Sequence, residues 1–205
     1  MSRYRGPITK LSRRLGVILF ANGQSKLKAY QKKNYKPGEH GQKRFSQLSE
    51  YNKQLREKQK ARVLYGINEK QSKKYFDKAS RNKQGITGVN YLILLERRLD
   101  NVVFRAGMAN SRQQSRQMVS HGLITLNGKV VKTPSIQVKE GDNFEVREKN
   151  KKSPMFDEIK KAKVRTPRWI SFDPKGLKGQ ITTLPEGGDI ENVIDHQLIT
   201  EFYSK

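Results

Sequence analysis

The stretch from Arg97 to Val131 constrains the fold more than any other part of this sequence, because it carries three structural signals in succession. Apolar residues recur at helical spacing from Leu92 to Ala106, which predicts an amphipathic helix that ends near Gly107. Ser111 can then cap a second helix by accepting from the backbone N–H of Gln114, whose own side chain can reach back.

The third signal is a tight β-hairpin. Gly122 suits the left-handed turn that stops the second helix. Asn127-Gly128 then lies between the β-prone runs Ile124–Leu126 and Lys129–Val131, and an Asn-Gly pair in this setting strongly indicates a two-residue hairpin turn. The stretch therefore predicts two helices followed by a hairpin.

Alternating apolar residues predict further strands after the hairpin. Ser135–Val138 and Phe144–Val146 both alternate, and Glu140–Asp142 between them has the composition of a turn. With the hairpin, these strands would form a small antiparallel sheet against the two helices. Later strands are predicted at Trp169–Phe172 and Gln180–Leu184.

The remaining segments predict helices on both sides of this region. Residues 1–45 lack sustained periodicity and predict an extended arm with one short helical turn near Ser12–Phe20. The other predicted helices are Ser46–Leu64 stopped at Gly66, a helix capped by Asn68, a helix from Ser153-Pro154 to about Lys163, and a terminal helix carrying Ile194, Leu198, Ile199 and Phe202.

Positive charge is concentrated in the first half of the chain. The 205 residues include 43 Lys and Arg against 19 Asp and Glu, a net charge of +24. Residues 1–90 alone hold 23 basic and 5 acidic side chains. Such an excess predicts a polyanionic partner, and its uneven distribution predicts that one half of the chain docks on that partner.

Two arginines on the second helix of the central stretch point to the same partner. Arg112 and Arg116 lie one helical turn apart, where like charges repel unless an anion lies between them. A solvated basic flank is the simpler interpretation of such a pair. The charge of the whole chain favours phosphate as the anion.

The residues that enzymes and metal sites need are missing from the sequence. The chain has no cysteine, and His40, His121 and His196 are scattered. We find no Walker lysine, no Gly-x-Gly-x-x-Gly and no His-Glu-x-x-His. The sequence predicts no enzymatic activity, no cofactor and no metal, and no apolar run approaches the roughly 20 residues of a membrane span.

The central stretch resembles a small RNA-binding module found in ribosomal proteins, some pseudouridine synthases, a heat-shock protein and some tyrosyl-tRNA synthetases. The residues that carry this resemblance are Arg98-Leu99-Asp100, Ser111-Arg112, Arg116–Val119, His121-Gly122 and Leu126–Gly128.

The rest of the chain is similar to bacterial and organellar small-subunit ribosomal proteins of family number four. The similarity reaches both termini, and its motifs are Arg3-Tyr4, Gly6-Pro7, Ser12–Arg14, Pro37–Gly41, Gln54–Lys60 and Phe202–Lys205.

The resemblance implies an α+β fold with three parts. Residues 1–45 would be an extended basic RNA-binding arm. Residues 46–90 would be a helical domain completed by residues 188–205. Residues 91–187 would be an inserted module, in which the core 97–148 has two helices packed on an antiparallel sheet and further strands and a helix follow.

The resemblance also implies a structural, non-enzymatic protein of the small ribosomal subunit. Such a protein would bind small-subunit ribosomal RNA, nucleate assembly of the subunit body and contribute to translational accuracy. Its partners would be neighbouring ribosomal proteins, notably number five with number three as a further candidate, and messenger RNA along its path into the ribosome. It would reside in cytoplasmic ribosomes, with an organellar ribosome as the alternative, and would have no membrane partner.

Two other functions are compatible with the module. An RNA-modifying enzyme would need a catalytic domain with a positioned Asp, and no segment here is long enough for one. A stress-related RNA-binding factor would lack the long basic N-terminal half that this chain has.

Candidate contact residues follow from the basic segments and from the resemblance. Tyr51 is kept as a base-stacking candidate. The predicted RNA-binding residues are Arg3, Arg5, Arg13, Arg14, Lys43, Arg44, Tyr51, Lys53, Arg56, Lys58, Lys60, Arg62, Arg112, Arg116, His121, Asn127 and Lys129. The predicted protein-interface residues, on a locally acidic C-terminus, are Ile199, Glu201, Phe202 and Tyr203.

The chain departs from the family pattern at several positions. Thr9 and Ser12 replace two cysteines of the zinc-binding set that many members carry, so RNA contacts would order the arm instead of a metal. Gly187 stands where an Arg is common, and His196 stands where a Glu is usual.

Overall fold

The computed structural model describes residues 4, 6–19, 24–42, 48–161, 166–190 and 193–204. The chain divides into two compact units. The first unit combines Met1–Gly88 with Glu191–Lys205, and the second unit is Val89–Ile190. The chain therefore leaves the first unit, forms the second and returns.

A run of helices precedes most of the strands, a segregation that is typical of an α+β fold. The helices are α1 (Ile8–Leu15), α2 (Gln24–Lys32), α3 (Glu50–Leu64), α4 (Glu69–Ser80), α5 (Thr87–Glu96), α6 (Leu99–Arg105), α7 (Arg112–Ser120), α8 (Asp157–Lys161) and α9 (His196–Tyr203). The strands are β1 (Ile124–Leu126), β2 (Lys129–Val130), β3 (Asn143–Val146), β4 (Ile170–Asp173) and β5 (Lys178–Ile181).

The N-terminal segment is more helical than the sequence predicts. The expectation of an extended arm with one short turn is wrong for residues 6–19 and 24–42, which form α1, α2 and a 3-10 turn at Glu39–Gln42. Helix α1 ends before Gly16, whose positive φ of 75° turns the chain so that the next N–H, that of Val17, donates to the Ser12 carbonyl at 3.2 Å. Leu15 and Leu19 are buried, so this short segment contributes apolar residues to a core.

In the first unit, α9 packs along α3. Helix α3 begins after Ser49, whose side chain accepts from the Asn52 N–H, and its buried face includes Ala61 and Leu64. On α9, Ile199 is fully buried. The predicted terminal helix is therefore confirmed, and of its apolar stripe Ile194 and Ile199 are buried while Leu198 and Phe202 are partly exposed.

The helix predicted to run to Gly107 is two helices, so that prediction is wrong. Helix α5 ends at Glu96 and α6 begins at Leu99, because the backbone of Arg98 is extended, with φ −69° and ψ 136°. Apolar spacing continues across the break, which is why periodicity alone does not reveal it.

The predicted strand Ser135–Val138 is also wrong. Only one isolated bridge forms, between Gln137 and Arg98. This segment and the residue before it instead supply acceptors for the start of α6: the N–H of Leu99 donates to the Ile136 carbonyl at 2.9 Å, and the N–H of Asp100 donates to the Pro134 carbonyl at 3.1 Å. The N-terminal N–H groups of a helix need such acceptors, and they take priority over a sheet ladder here.

The antiparallel sheet of the second unit has the order β2-β1-β3-β5-β4. The hairpin prediction is confirmed, because Asn127 and Gly128 both adopt positive φ, 49° and 77°, as a type I′ turn requires. The predicted strand Gln180–Leu184 is displaced toward the N-terminus and appears as β5, Lys178–Ile181. Helix α8 follows a 3-10 turn at Pro154–Phe156, and the predicted end near Lys163 lies outside the described residues.

One continuous core holds the second unit together. It joins α6 and α7 to the inner face of the sheet through residues that include Val103, Val119, Ile124, Phe144 and Trp169, each at most 1% exposed. The helices and the sheet therefore position one another, and any side chain on the outer flank of α7 is held on a rigid support.

We expect Gly179→Ala to destabilise the second unit by about 1–3 kcal/mol, because a Cβ there would overpack the core. Gly179 pairs with Phe144 across β5 and β3, and the added Cβ would lie 2.8 Å from the Cε2 atom of that ring. Urea unfolding followed by circular dichroism measures the effect. Gly188→Ala is the matched control, because nothing lies within 4 Å of its Cβ position. Equal midpoints for the two variants would contradict the prediction.

Candidate nucleic-acid interface

Helix α7 is fixed at both ends by its own sequence. The Ser111 hydroxyl accepts from the Gln114 N–H at 3.2 Å, as predicted. The Gln114 side chain accepts from the Asn110 N–H at 2.8 Å, and the expected return bond to Ser111 is replaced by this contact one residue earlier. At the other end, Gly122 has φ 68° and stops the helix.

Arg112 is held by a neutral partner and an aromatic ring. Its Nε donates to Oδ1 of Asn101 at 2.8 Å, and its guanidinium carbon lies 4.5 Å from the centre of the Phe104 ring. The amide of Asn101 donates in turn to Oε2 of Glu96 at 2.7 Å, and Arg105 also pairs with that fully buried carboxylate. This chain of contacts restricts the conformations of Arg112.

Arg116 lies beside a carboxylate of the protein. One of its terminal nitrogens is 3.5 Å from Oδ2 of Asp100, and its side chain is 15% exposed. Asp100 is also bound by Arg98 through two hydrogen bonds of 3.0 and 2.7 Å. The sequence predicts phosphate as the anion beside Arg112 and Arg116. For Arg116, the Asp100 carboxylate of the protein itself already provides a nearby negative charge.

The hairpin end of the second unit is a network of turns. The Asn127 amide donates to Asp142 at 2.9 Å and accepts from the Asn143 N–H at 2.9 Å, so this predicted contact residue is also structural. His121, at the end of α7, and Lys129, in β2, are both exposed.

Arg97 is a basic residue that the sequence patterns do not single out. Its guanidinium donates twice to the Val138 carbonyl, at 3.1 and 3.0 Å. Burial lowers the pKa of Arg97 below its ordinary value, and the nearby Asp142 carboxylate opposes that change.

In the first unit, the predicted arm residues divide between structural and exposed roles. Arg13 donates from Nε to the Tyr35 carbonyl at 2.8 Å and lies over the Tyr35 ring, so it holds the arm together. Arg14 is exposed. The other predicted arm contacts, Arg3, Arg5, Lys43 and Arg44, lie outside the described residues.

The predicted basic face of α3 is partly wrong. Lys58 and Lys60 are only 6% and 8% exposed, because α9 packs along this side of α3. Lys58 donates to Glu69 at 2.9 Å, while Lys60 binds Glu57 and the Val193 carbonyl. Lys58 connects α3 to α4 and Lys60 connects α3 to the segment before α9, so neither lies on the outer surface.

The remaining predicted residues of α3 are more accessible. Lys53 pairs with Glu50 at 2.6 Å, Arg56 donates to Asn52 at 3.0 Å, and Arg62 donates to Glu69 at 3.0 Å. Tyr51 is 57% exposed, and its ring lies 5.9 Å from that of Phe202.

The C-terminal residues mostly close the helical unit. Ile199 is fully buried, so its assignment to a protein interface is wrong. Tyr203 donates to Glu69 at 3.1 Å and lies 3.0 Å from the Ser72 hydroxyl. Glu201 accepts from Gln54 at 2.9 Å, and the Lys58 ammonium lies 4.6 Å from the centre of the Phe202 ring. Glu201, Phe202 and Tyr203 remain partly exposed.

The two departures in the C-terminal segment are both accommodated locally. Gly187 lies exposed in a 3-10 turn, Gly187–Asp189, that Glu186 and Asp189 cap reciprocally. His196 is the first residue of α9, directly after Asp195, whose carboxylate accepts from the N–H groups at the start of the helix.

Across the described residues, no group of three or more His, Asp or Glu is arranged to hold a metal ion. Within those same ranges, no helix is long and apolar enough to cross a membrane.

Comparisons with known proteins agree on one family. Residues 3–96 match the ribosomal protein S4/S9 N-terminal domain, and residues 97–144 match the S4 domain. The boundary between these two matches falls at the break between α5 and α6.

Full-length relatives carry the name small ribosomal subunit protein uS4. The chain is 48% identical to the protein of Lactiplantibacillus plantarum and 50% identical to that of Geotalea daltonii, with all of both chains covered in each case. It is 48% identical to the Streptococcus sanguinis protein, with all of this chain and 99% of the relative covered.

We expect the first unit to become less stable as the pH decreases, because Glu69 becomes protonated. Burial raises the pKa of Glu69, but hydrogen bonds and charge attraction from Lys58, Tyr203 and Arg62 outweigh it and hold the pKa below 4.5. The carboxylate therefore stabilises the folded state at pH 7, and this contribution disappears as the pH falls from about 4.5 through the folded pKa.

Comparison of wild type with Glu69→Gln by urea unfolding between pH 7 and pH 3 tests this. The wild type should be more stable at pH 7 by about 1 kcal/mol, because the half-exposed side chain limits the effect, and the difference should vanish at acid pH. Glu50→Gln, which removes an exposed carboxylate from α3, is the control. A difference that is independent of pH would contradict the prediction.

Proposed function

Because the chain belongs to the small ribosomal subunit protein uS4 family, we infer that it is a structural constituent of the small ribosomal subunit, binds ribosomal RNA and is not an enzyme. The alternatives of an RNA-modifying enzyme and a stress-related factor receive no support from these relatives, which match the chain from end to end.

We propose that the outer flank of α7 is one RNA contact surface, with Arg112 as its principal phosphate-binding residue. The observation that carries this proposal is the chain Glu96–Asn101–Arg112, because these hydrogen bonds hold the guanidinium in one position on the flank of α7. A side chain ordered before binding loses less entropy on binding. Arg116, His121, Asn127 and Lys129 would contribute around it, with Arg116 partly neutralised by Asp100.

We propose that the first unit provides a second, larger contact surface. Its accessible cations on α1 and α3 include Arg14, Lys53, Arg56 and Arg62. Basic groups distributed over a folded surface neutralise phosphates and recognise the shape of folded RNA more than its sequence. The proposal extends to Arg3, Arg5, Lys43 and Arg44, and to Tyr51 as a stacking residue. Lys43 and Arg44 would lie near the path of messenger RNA.

Two further roles concern assembly of the subunit and translational accuracy. We propose that binding to ribosomal RNA nucleates assembly of the subunit body in bacterial cytoplasmic ribosomes. We also propose that the partly exposed residues Glu201, Phe202 and Tyr203 contact a neighbouring ribosomal protein, notably number five with number three as a further candidate, and thereby affect translational accuracy. Acidic residues near the C-terminus favour a protein partner there over RNA.

We expect Arg112→Gln to reduce the salt dependence of RNA binding by the amount that corresponds to about one phosphate contact. The slope of log K against log salt should become shallower by about 0.7–0.9. Arg116→Gln should change it less, because Asp100 already accompanies that charge. Filter binding to a small-subunit ribosomal RNA transcript over a salt series measures both. Lys175→Gln, on an exposed turn of the second unit, is the control.

Equal slopes for wild type and Arg112→Gln would show that Arg112 is a solvated charge and does not contact phosphate. A nearly flat slope for the wild type would contradict the RNA-binding function itself.

We expect Glu201→Lys to weaken the protein interface while RNA affinity stays within a few-fold. Glu201 is partly exposed and accepts from the buried Gln54, and its replacement does not alter the side chain of the fully buried Ile199. Binding of purified ribosomal protein five measures the interface, and a misreading reporter in cells should show increased misreading. Glu140→Lys, the same charge change in an exposed turn of the second unit, is the control. A large loss of RNA affinity with unchanged accuracy would contradict this assignment.

A further inference from the structure

The first unit contains a pocket of about 350 Å³ whose walls are basic and aromatic. Its lining residues come from α1, α2, the segment that follows α2, and α3. Those that carry polar or aromatic chemistry include Arg13, Arg14, Tyr30, Asn34, Tyr35 and Arg56, and none of the described residues that line the pocket is a carboxylate. A volume of this size lies within the range of small-ligand sites.

Arg13 builds one wall of the pocket. Its guanidinium lies 4.7 Å from the centre of the Tyr35 ring and donates to the carbonyls of Tyr35 and, at 3.5 Å, of Lys36. The backbone folds back tightly at this point: Gly41 lies so close to the Lys36 carbonyl oxygen that an added Cβ would collide with it. The wall is therefore rigid and carries the positive charge of Arg13.

Two further arginines, Arg14 and Arg56, lie at the pocket without a carboxylate partner among the described residues. Neither Arg14 nor Arg56 forms an ion pair with a carboxylate within the described ranges; Arg56 donates only to the neutral Asn52 amide, at 3.0 Å. Cations without a counter-ion around a pocket whose described lining has no carboxylate favour an anionic ligand. Arginine in particular matches the geometry of phosphate oxygens.

The aromatic lining indicates what the anion is attached to. Tyr30 is half-buried on α2, and among the described residues its ring contacts no other ring. Arg13 and Tyr35 form a stacked pair beside it, and Asn34 adds an amide that can both donate and accept. Unstacked RNA bases bind such surfaces by stacking on Tyr or Arg planes, with hydrogen bonds to their edges.

We propose that this pocket binds one unstacked nucleotide, with the base against Tyr30 and the stacked Arg13–Tyr35 pair and the phosphate between Arg14 and Arg56. The nucleotide is a residue of the ribosomal RNA, so the proposal rests on the proposed function and adds a site that reads a single extruded base. A free nucleotide has the same chemistry and is the other source that the experiment separates.

The first arm of the experiment compares variants of the full chain in binding to a small-subunit ribosomal RNA transcript. Tyr30→Leu should weaken binding by roughly 5- to 150-fold, as loss of one stacked base does. Its salt slope should stay unchanged, because stacking releases no counter-ions. Tyr30→Phe keeps the ring and should retain wild-type affinity. Tyr75→Leu, on α4 and outside the pocket, is the control and should bind as wild type does.

The phosphate half of the site has a different signature. Arg14→Gln with Arg56→Gln should make the salt slope shallower by about 0.7 for each phosphate that the variant no longer neutralises. The second arm locates the base by photocrosslinking. A transcript that contains 5-iodouridine or 4-thiouridine is bound to the protein, and the complex is irradiated. A crosslink from one nucleotide to the peptide containing Tyr30 or Tyr35, reduced in Tyr30→Leu, is expected.

A titration of wild type with adenosine, cytidine, guanosine and uridine monophosphates separates the two sources. Absence of binding at millimolar concentration, together with the crosslink, supports the RNA nucleotide. Tight binding of a free nucleotide that Tyr30→Leu abolishes, with RNA affinity unchanged, overturns the RNA assignment.

Failure of the pocket proposal is distinct from failure of the proposed function. Wild-type RNA affinity in Tyr30→Leu and in the double arginine variant, with no crosslink to this peptide, overturns the pocket proposal. The RNA-binding function stands in that case, because wild-type binding is measured in the same series. Equal loss of affinity in Tyr30→Phe and Tyr30→Leu also overturns it, because the ring alone would then not carry the effect.

Discussion

The fully buried guanidinium of Arg98 binds the carboxylate of Asp100 through two hydrogen bonds, and much of the second unit depends on that pair. Removing one partner from a buried ion pair costs about 3–5 kcal/mol, because the other charge is left uncompensated. The backbone at Arg98 leaves helical geometry where this pair forms, and α5 and α6 are separate helices on either side of it. The N–H groups exposed at the start of α6 then bind the segment containing Ile136, which is why that segment is not a strand. Asp100 also lies beside Arg116, so the same carboxylate connects the core to α7.

The first unit uses cations inside the fold in a similar way. Lys58 and Arg62 on α3 both bind Glu69 on α4, and Tyr203 on α9 donates to the same carboxylate. One acidic group therefore joins three helices. A basic protein of this kind uses part of its positive charge to hold its helices together, and net charge alone does not identify the cations that meet RNA. Burial and carboxylate partners separate the two groups: Lys58 and Lys60 are internal, whereas Arg14 is exposed.

Two of the candidate RNA contacts, one in each unit, share one property: other residues hold their side chains in place before any ligand binds. Asn101 orients Arg112 on α7, and the Tyr35 ring and carbonyl orient Arg13 beside the basic pocket. Partners of this kind restrict the positions that each guanidinium can occupy. Preorganised arginines lose little conformational entropy on binding phosphate, which suits a protein that recognises the shape of a folded RNA.

The sequence by itself determined the features that rest on local chemistry. The Ser111 cap, the Asn127-Gly128 turn and the terminal helix all follow from interactions within a few residues, and the family follows from motifs along the whole chain. Only the tertiary structure decided the break at Arg98, the burial of Lys58, Lys60 and Ile199, and the pocket beside Arg13. The reason is that charge pairs and helix contacts join residues far apart in sequence, such as Lys58 with Glu69 or Gln54 with Glu201. Spacing and composition specify which side chains are basic, but only packing specifies which of them face water.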